Sequence, residues 1–260
     1  MGNRVSPSDD PLTLGCVEDT LRRSVAEFIG AFTLIFAGAG AGMAFPHNVV
    51  PAAFANGLAI AIMVSALGHI SGGHFNPAIT LGFLFTRRIE PRIAGAYWVA
   101  QFGGAAVAAL FLKWIFPSVL QTSAHLGAPA LSPAITSGQG VALEMVMTFF
   151  LVLAVFATAV DPRGTFKAIA GLAIGLTITM DVFFGGGLTG AAMNPARAFG
   201  PQLVGDFWSD AWIWYVGPAV GGVVAALLYQ WVYLRPLEPE PVGPPETGVE
   251  EPGPGRSAVS

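Results

Sequence analysis

The stretch "GHISGGHFNPAIT" (68–80) closes an apolar segment long enough to be a membrane helix, yet it holds three glycines, a proline, two histidines and an asparagine. A second stretch, "GLTGAAMNPARAFGP" (187–201), repeats its Asn-Pro-Ala triplet. In lipid, irregular backbone is tolerated only where it is buried in protein or lines a water-filled cavity, because its N–H and C=O groups need partners. If the chain lies in a membrane, both stretches should therefore enter the bilayer without crossing it.

The composition places the chain in a bilayer. Its residues are 53% hydrophobic and only 11% charged, with a mean hydropathy of +0.63. A soluble domain carries about 25% charged residues, so this chain cannot cover a water-facing surface. One cysteine, Cys16, excludes an intrachain disulfide. We expect no metal site, no cofactor and no nucleic-acid partner.

Six apolar segments are long enough to cross about 30 Å of hydrocarbon, which takes ~20 helical residues. We predict spans at 21–44, 49–70, 91–116, 137–160, 166–186 and 209–234. Two shorter apolar pieces, 76–86 and 194–204, each begin at an Asn-Pro. Proline suits the first turn of a helix, where its missing N–H has no partner anyway. Each piece is therefore predicted to be a half-helix, and the fold class to be an all-α membrane protein.

The basic residues predict the orientation. With these spans, ten of the twelve Lys and Arg residues fall on one side, and positive loops stay in the cytoplasm. Both termini are therefore expected to be cytoplasmic, in a multi-pass protein of the cell membrane. The ten are Arg4, Arg22, Arg23, Arg87, Arg88, Arg92, Arg163, Lys167, Arg235 and Arg256.

The chain reads as two related halves, about 21–116 and 137–234. Asn76 and Asn194 differ by 118 positions, and Glu27 and Glu144 by 117. The segment "GLAI" occurs at 57–60 and 171–174, an offset of 114, which predicts about four extra residues before the second Asn-Pro-Ala. Three spans per half make the second half enter the membrane upside down. Inverted repeats with interrupted helices predict a permeation site near the bilayer midplane.

The two ends lie outside this channel domain of residues 21–234. Residues 1–20 are expected to form a cytoplasmic N-terminal segment. Residues 235–260 form a cytoplasmic tail rich in Pro and Glu with almost no large apolar residues, a composition typical of disorder.

Two Asn-Pro-Ala motifs, Asn76-Pro77-Ala78 and Asn194-Pro195-Ala196, on six spans in inverted repeat resemble the major intrinsic protein (aquaporin) family. The opening "AEFIGAF" (26–32) is similar too. The resemblance covers about residues 21–234. It implies a homotetramer in the lipid bilayer with one pore per subunit, and pore asparagines that donate hydrogen bonds to the passing molecule.

The resemblance also implies a selectivity filter of four positions. Matched by spacing from each asparagine, these are Asn56, Val182, Ala191 and Arg197. Water-specific members usually carry an aromatic residue and a histidine at the first two positions, so an amide and a valine predict a wider filter. Arg197 is expected to act as a donor and as a barrier to cations. Short loops and the Trp214-Tyr215 pair resemble water channels instead.

The irregular stretches supply further candidates for the pore. Their backbone carbonyls can point into it as a ladder of acceptors, and His74 is expected on its cytoplasmic half. The predicted pore-lining residues are Gly72, Gly73, His74, Gly190, Ala192 and Met193. Asp181, next to Val182, is expected either to polarise the outer vestibule or to be a solvated helix end.

Glu27 and Glu144 have two interpretations. As structural anchors, they accept hydrogen bonds from backbone N–H groups of the broken loops that otherwise stay unpaired. As a symmetric titratable pair, they are what a proton-coupled secondary transporter would need. We favour the anchors, and hence a passive channel, not an enzyme. It would pass water and small uncharged solutes such as glycerol, urea or neutral metalloid hydroxides. A strict water channel is the alternative.

Overall fold

The computed structural model describes residues 11–164 and 167–235, and within them the chain is helical, with no strand. Six helices are long and apolar enough to cross a membrane, and two short helices, α3 and α8, follow the second and fifth of them. The helices are α1 (Pro11–Ala44), α2 (Val49–Ser71), α3 (Pro77–Phe85), α4 (Pro91–Ile115), α5 (Ser118–Ser123), α6 (Ser137–Val155), α7 (Ala170–Thr189), α8 (Pro195–Gly205) and α9 (Ile213–Leu228). Helices α6 and α9 continue as π-helical turns, Phe156–Val160 and Tyr229–Leu234.

The six predicted spans are confirmed, with shifts at several ends, and the last span begins at Ile213 and not at residue 209. Helix α1 begins at Pro11, not at residue 21. Asp19 pairs with Arg22 and Arg23 at helical spacing, which supports this early turn. Helix α7 begins at Ala170 rather than 166 and runs on to Thr189. Of the predicted disordered tail (235–260), all but Arg235 lies outside the described residues, as do the first ten residues of the chain.

Local capping explains the two half-helices. Asn76 precedes α3 in extended conformation, and its side chain accepts a hydrogen bond from Ala78 N. Asn194 precedes α8 in the same way and accepts from the N–H groups of Ala196 and Arg197. A side-chain oxygen at this position satisfies N–H groups that have no partner inside the helix.

The repeat offset is 118 throughout the central helices. Helix α2 ends at Ser71 and α7 at Thr189, and each is followed by a left-handed glycine, Gly72 (φ 93°) or Gly190 (φ 78°). The prediction of four extra residues in the second half is therefore wrong. The shared "GLAI" letters are one helical turn out of register with the structural repeat.

Small residues let the spans approach closely. Cβ atoms added at Gly171 and Gly175 would meet the backbone of α2, and Cβ atoms at Gly217 and Gly221 would meet α6. This confirms the close packing expected of small residues in membrane helices. In a third run of small residues, Gly38-x-Gly40-x-Gly42 on α1, a Cβ at Gly38 would instead meet the side chain of Asn56 on α2.

One face of the molecule collects the basic residues between the spans. Arg88 binds Gln230 in the turn after α9, and Arg163 donates to the carbonyl of Tyr233. The buried Asp161 carboxylate accepts from Arg163 Nη2 at 2.7 Å and from the hydroxyl of Tyr229 at 2.9 Å. The hydrogen bonds from Arg163 hold the pKa of Asp161 well below its usual range. This ion pair ties the turn after α6 to the end of the last span.

Candidate channel pore and filter

A buried carboxylate organises the first irregular loop, residues 72–76. Glu27 on α1 is fully buried. Its Oε1 accepts from Ser71 Oγ at 2.6 Å and from His74 N at 2.9 Å. Its Oε2 accepts from Phe75 N and, at 2.7 Å, from Gln101 Nε2. Backbone N–H groups that no helix can satisfy are paired in this way, so the loop can stay irregular inside the membrane.

A second carboxylate organises the other loop, residues 190–194, in the same manner. Glu144 on α6 is fully buried and accepts from Thr189 Oγ1 at 2.7 Å. It also accepts from the backbone of Ala192 at 2.9 Å and of Met193 at 2.7 Å. This geometry supports the anchoring interpretation of both glutamates, because their oxygens are engaged by the loops.

The two loops bind each other through the asparagines. Asn76 Nδ2 donates to the carbonyl of Met193, and Asn194 Nδ2 donates to the carbonyl of Phe75, both at 2.9 Å. Phe75 (φ 49°) and Met193 (φ 52°) are both in the left-handed region. The N-termini of α3 and α8 therefore meet inside the protein, each with its positive helix-dipole end.

A narrow cavity of about 20 Å³ runs past this meeting point. A water molecule needs roughly 10–15 Å³ measured in this way, so the cavity holds one or two waters. Residues of the two loops and two polar or charged residues near them line it: Asn56, Gly73, His74, Asn76, Ala191, Ala192, Met193, Asn194 and Arg197. Its other lining residues are aliphatic: Leu34, Ile60, Ile79, Leu151, Ile174 and Ile178.

The narrow cavity opens into a vestibule of about 500 Å³. Asn56 and Arg197 line both spaces and so mark the junction between them. Of the other two predicted filter residues, Ala191 lines the narrow cavity and Val182 lines the vestibule. Asn56 and Arg197 thus lie at the junction, or constriction, with Ala191 on its narrow side and Val182 on its vestibule side.

Arg197 is held at this constriction by backbone groups. Its side chain is buried, and Nη1 donates to the carbonyl of Gly127 at 2.8 Å. Gly127 ends a short 3₁₀ turn in the connection between the two halves. The turn therefore fixes the direction of the guanidinium.

The comparisons with known proteins agree with this architecture. The family model "Major intrinsic protein" matches residues 17–229. Aquaporin TIP1-2 of Zea mays is 42% identical over 227 residues, which cover 83% of this chain and 87% of that protein. A probable aquaporin TIP-type alpha of Phaseolus vulgaris is 43% identical over 234 residues, which cover 86% and 89%.

The chain belongs to the major intrinsic protein family. An X-ray structure of the aquaglyceroporin from Plasmodium falciparum superposes with a TM-score of 0.76 at 25% identity, covering 84% of this chain and 98% of that one. This major intrinsic protein is accordingly an integral, multi-pass membrane protein and a passive channel for water and small solutes, not an enzyme.

The remaining predicted pore residues of this major intrinsic protein divide between the two spaces. Gly73, His74, Ala192 and Met193 line the narrow cavity, as already described, and Gly190 lines the vestibule. Gly72 lines neither; its left-handed φ ends α2, and its N–H donates to Gly68 O. The prediction that Gly72 lines the pore is therefore not supported by the cavity.

The predicted position of His74 in the pore comes with a partner that the sequence did not indicate. The ring of His74 is buried, and its Nδ1 lies 3.0 Å from Thr80 Oγ1. Gln101 Nε2 donates to the same hydroxyl. Thr80 therefore links the cavity wall to the Glu27 anchor.

Several supporting residues escaped the sequence analysis. Tyr97 donates through its hydroxyl to Ser71 O, and Trp214 donates through Nε1 to Thr189 O. The offset of 117 between "YWVAQF" (97–102) and "WYVGPA" (214–219) could have paired them. Nothing in the sequence indicates that Gly127 binds Arg197, because that contact joins distant segments.

Asp181 differs from both of its expected roles. Its side chain is 3% exposed, so it is not a solvated helix end, and its Oδ2 atom has no hydrogen-bond partner. Asp181 also lines neither the vestibule nor the narrow cavity. It is buried behind the filter residue Val182.

Proposed function

We propose that this channel passes small neutral solutes such as glycerol, urea or neutral metalloid hydroxides besides water, and excludes ions and protons. The observation that carries the proposal is the constriction itself. The three other predicted filter residues beside Arg197 are an amide, a valine and an alanine, which line the narrow cavity, the vestibule or both. A filter without a ring leaves lateral room for a carbon skeleton, while Arg197 supplies donors for a hydroxyl.

The asparagines provide the next donors along the path. A side-chain amide has two N–H groups, and in Asn76 and Asn194 one of these is directed at the carbonyl of the opposite loop. The second N–H of each amide is the proposed donor to a passing oxygen. A water that accepts from both asparagines turns its lone pairs toward them, which breaks a proton-conducting chain.

Charge selection has two sources in this arrangement. The N-termini of α3 and α8 both direct positive dipole ends toward the asparagines. Arg197 adds a full positive charge at the vestibule end of the narrow cavity. A cation meets both barriers, whereas a neutral solute replaces its lost water contacts with the donors of Arg197, Asn76 and Asn194.

A specific observation favours a strict water channel as the second candidate. The narrow cavity measures only about 20 Å³, which suits a file of waters. Side-chain movement of one or two cavity-lining residues must widen it before glycerol can pass.

The proton-coupled transporter is disfavoured by the anchors. Glu27 and Glu144 each accept two backbone N–H groups and a hydroxyl. A proton arriving at either carboxylate would disrupt the loop that forms the pore. Solute accumulation against a gradient that is abolished by Glu27→Gln would favour the transporter.

Assembly and orientation complete the proposal. We infer a homotetramer in the cell membrane with both termini in the cytoplasm. Arg88 and Arg163 on one face support the orientation through the excess of basic residues on the cytoplasmic side. Native mass spectrometry of the detergent-solubilised chain tests the tetramer, and protease access to the tail in sealed vesicles tests the orientation.

Stopped-flow light scattering on proteoliposomes separates the two solute candidates. Wild-type vesicles are first shrunk with an impermeant osmolyte and then exposed to a glycerol gradient. Fast shrinkage followed by glycerol reswelling supports the broader channel; shrinkage alone selects the water channel.

The variant Asn56→Phe tests whether the filter width decides the solute. A ring at position 56 is expected to suppress glycerol entry more strongly than water flow. Equal loss of both would remove Asn56 from the filter.

A further inference from the structure

We propose that Gly38 of α1 is a specificity-determining residue of this channel. Because it has no side chain, it leaves a notch that holds the Asn56 amide at the edge of the constriction instead of across it. The inference rests on the proposed function, since it assigns what sets the filter width.

The Asn56 side chain lies against its own helix and against α1. It is 5% exposed, and its Nδ2 donates to Ala52 O, one turn earlier on α2, at 2.8 Å. An ideal Cβ at position 38 would lie within 2.6 Å of three atoms, which are the Cγ, Oδ1 and Nδ2 atoms of Asn56. The amide therefore occupies the volume that a side chain at position 38 would fill.

The displaced amide can move toward the pore. A methyl group at position 38 overlaps the far end of a flexible side chain, so the amide moves and the α1 backbone can stay in place. Asn56 borders both the narrow cavity and the vestibule. Gly38 itself lines the vestibule beside Asn56, so a methyl group at position 38 is expected to push the Asn56 amide toward the pore and narrow the constriction through it.

The other glycines of the same run do not share this contact. A Cβ at Gly40 would approach Leu112 at 3.3 Å, and a Cβ at Gly42 would meet nothing within 4 Å. The notch is thus specific to one position in the run Gly38-x-Gly40-x-Gly42.

A double-mutant cycle in proteoliposomes tests the inference. Wild type, Gly38→Ala, Asn56→Ala and Gly38→Ala/Asn56→Ala are reconstituted at equal protein density. Osmotic water permeability and glycerol reswelling are then measured for each. Gly95→Ala on α4 is the matched control, because its Cβ would meet nothing within 4 Å and the residue lies outside the pore.

The expected result is a loss of roughly tenfold in the glycerol rate of Gly38→Ala, with a smaller loss of water permeability. Gly95→Ala should behave as wild type. The double variant should match Asn56→Ala, since no amide remains to be displaced, and this non-additivity is the signature of direct contact.

Three results would overturn the inference. One is a Gly38→Ala channel with wild-type permeabilities. Another is a Gly38→Ala substitution that lowers the glycerol rate by the same factor in the Asn56→Ala background as in wild type. The third is a Gly38→Ala chain that fails to fold, whether or not Asn56→Ala rescues it, because the amide would then not have moved into the pore.

Failure of the proposed function gives a different pattern. If wild type conducts water but no glycerol, the broad channel is wrong, and the cycle is read on water permeability. If Gly38→Ala lowers the water permeability of wild type but not that of Asn56→Ala, the result still supports the notch.

Discussion

The loop at residues 72–76 and the loop at 190–194 share one backbone design but use different side chains beside it. Each has a left-handed glycine at its start, a buried glutamate that pairs its N–H groups and an asparagine that binds the opposite loop. Next to the shared parts, the residues diverge. Ile79 in the first half corresponds to Arg197 in the second at the offset of 118, and both line the cavity.

The divergence extends to the support of the glutamates. Gln101 donates to Glu27, but the corresponding position in the second half, at the offset of 117, is Pro218, which has no side-chain donor. Side chains that pair the loop N–H groups or the glutamates, including the unshared Gln101, support the irregular loops, whereas the side chains that line the cavity are proposed to select the solute. Because the two classes are separate, substitutions should divide into those that affect folding and those that affect selectivity.

The largest effect should come from the anchors. Glu144→Ala leaves two buried backbone N–H groups without acceptors, at roughly 2–6 kcal/mol in the free energy of unfolding. Glu27→Ala should cost less, because the Gln101 Oε1 atom has no partner and can accept one of the freed donors. Thermal melting in detergent measures both.

The isosteric variants Glu27→Gln and Glu144→Gln should lie between wild type and the alanine variants, because one amide oxygen still accepts while the amide NH2 faces the N–H donors of the lost oxygen. A Glu144→Ala protein that melts like wild type would contradict the anchoring role.

Arg197→Val should change selectivity more than stability. Loss of the charge is expected to raise glycerol and proton flux by roughly tenfold, a barrier change of about 1.4 kcal/mol. Glycerol reswelling and a pH-sensitive dye in the vesicles measure the two fluxes. Ile79→Val, at the corresponding position of the first half, is the matched control without a charge change. Unchanged fluxes in Arg197→Val would remove this residue from the filter.

Gln101→Leu should lower the stability of the first half by about 1 kcal/mol. It removes a donor to the Glu27 carboxylate, while three other donors remain. Melting temperature should fall, and the ratio of glycerol to water permeability should stay constant. A changed permeability ratio with an unchanged melting temperature would show that Gln101 affects selectivity and not folding, which would contradict the separation of the two classes of residues.

The smallest effect should come from Asp161→Asn, at the ion pair with Arg163 that joins the turn after α6 to the last span. The lowered pKa of Asp161 means that its stabilisation is present above the usual aspartate pKa of about 4 and is lost as pH falls toward the lower folded-state value. Wild type should therefore melt above Asp161→Asn at neutral pH, and the two curves should converge in strong acid. A difference in melting temperature that persists at acid pH would show that the ion pair is not its source.

Much of the fold followed from local chemistry. An asparagine before a proline caps a helix wherever the chain folds, so the starts of α3 and α8 were predictable. The glutamates were predictable from the repeat, because an irregular loop in lipid needs acceptors for its N–H groups. Register was less certain: the shared "GLAI" letters suggested four extra residues, and the left-handed glycines at 72 and 190 show none.

The four filter positions were expected only from the resemblance to the major intrinsic protein family. The sequence by itself determined the membrane spans, the half-helices and the paired loops. Each of these depends on composition, on capping or on an internal repeat. Only the tertiary structure decided that Gly127 holds Arg197, that Gly38 faces the Asn56 amide, and that Asp181 is buried without a partner for Oδ2. Those contacts join segments far apart in the chain, and which atoms meet there depends on how the helices pack, which no local pattern encodes.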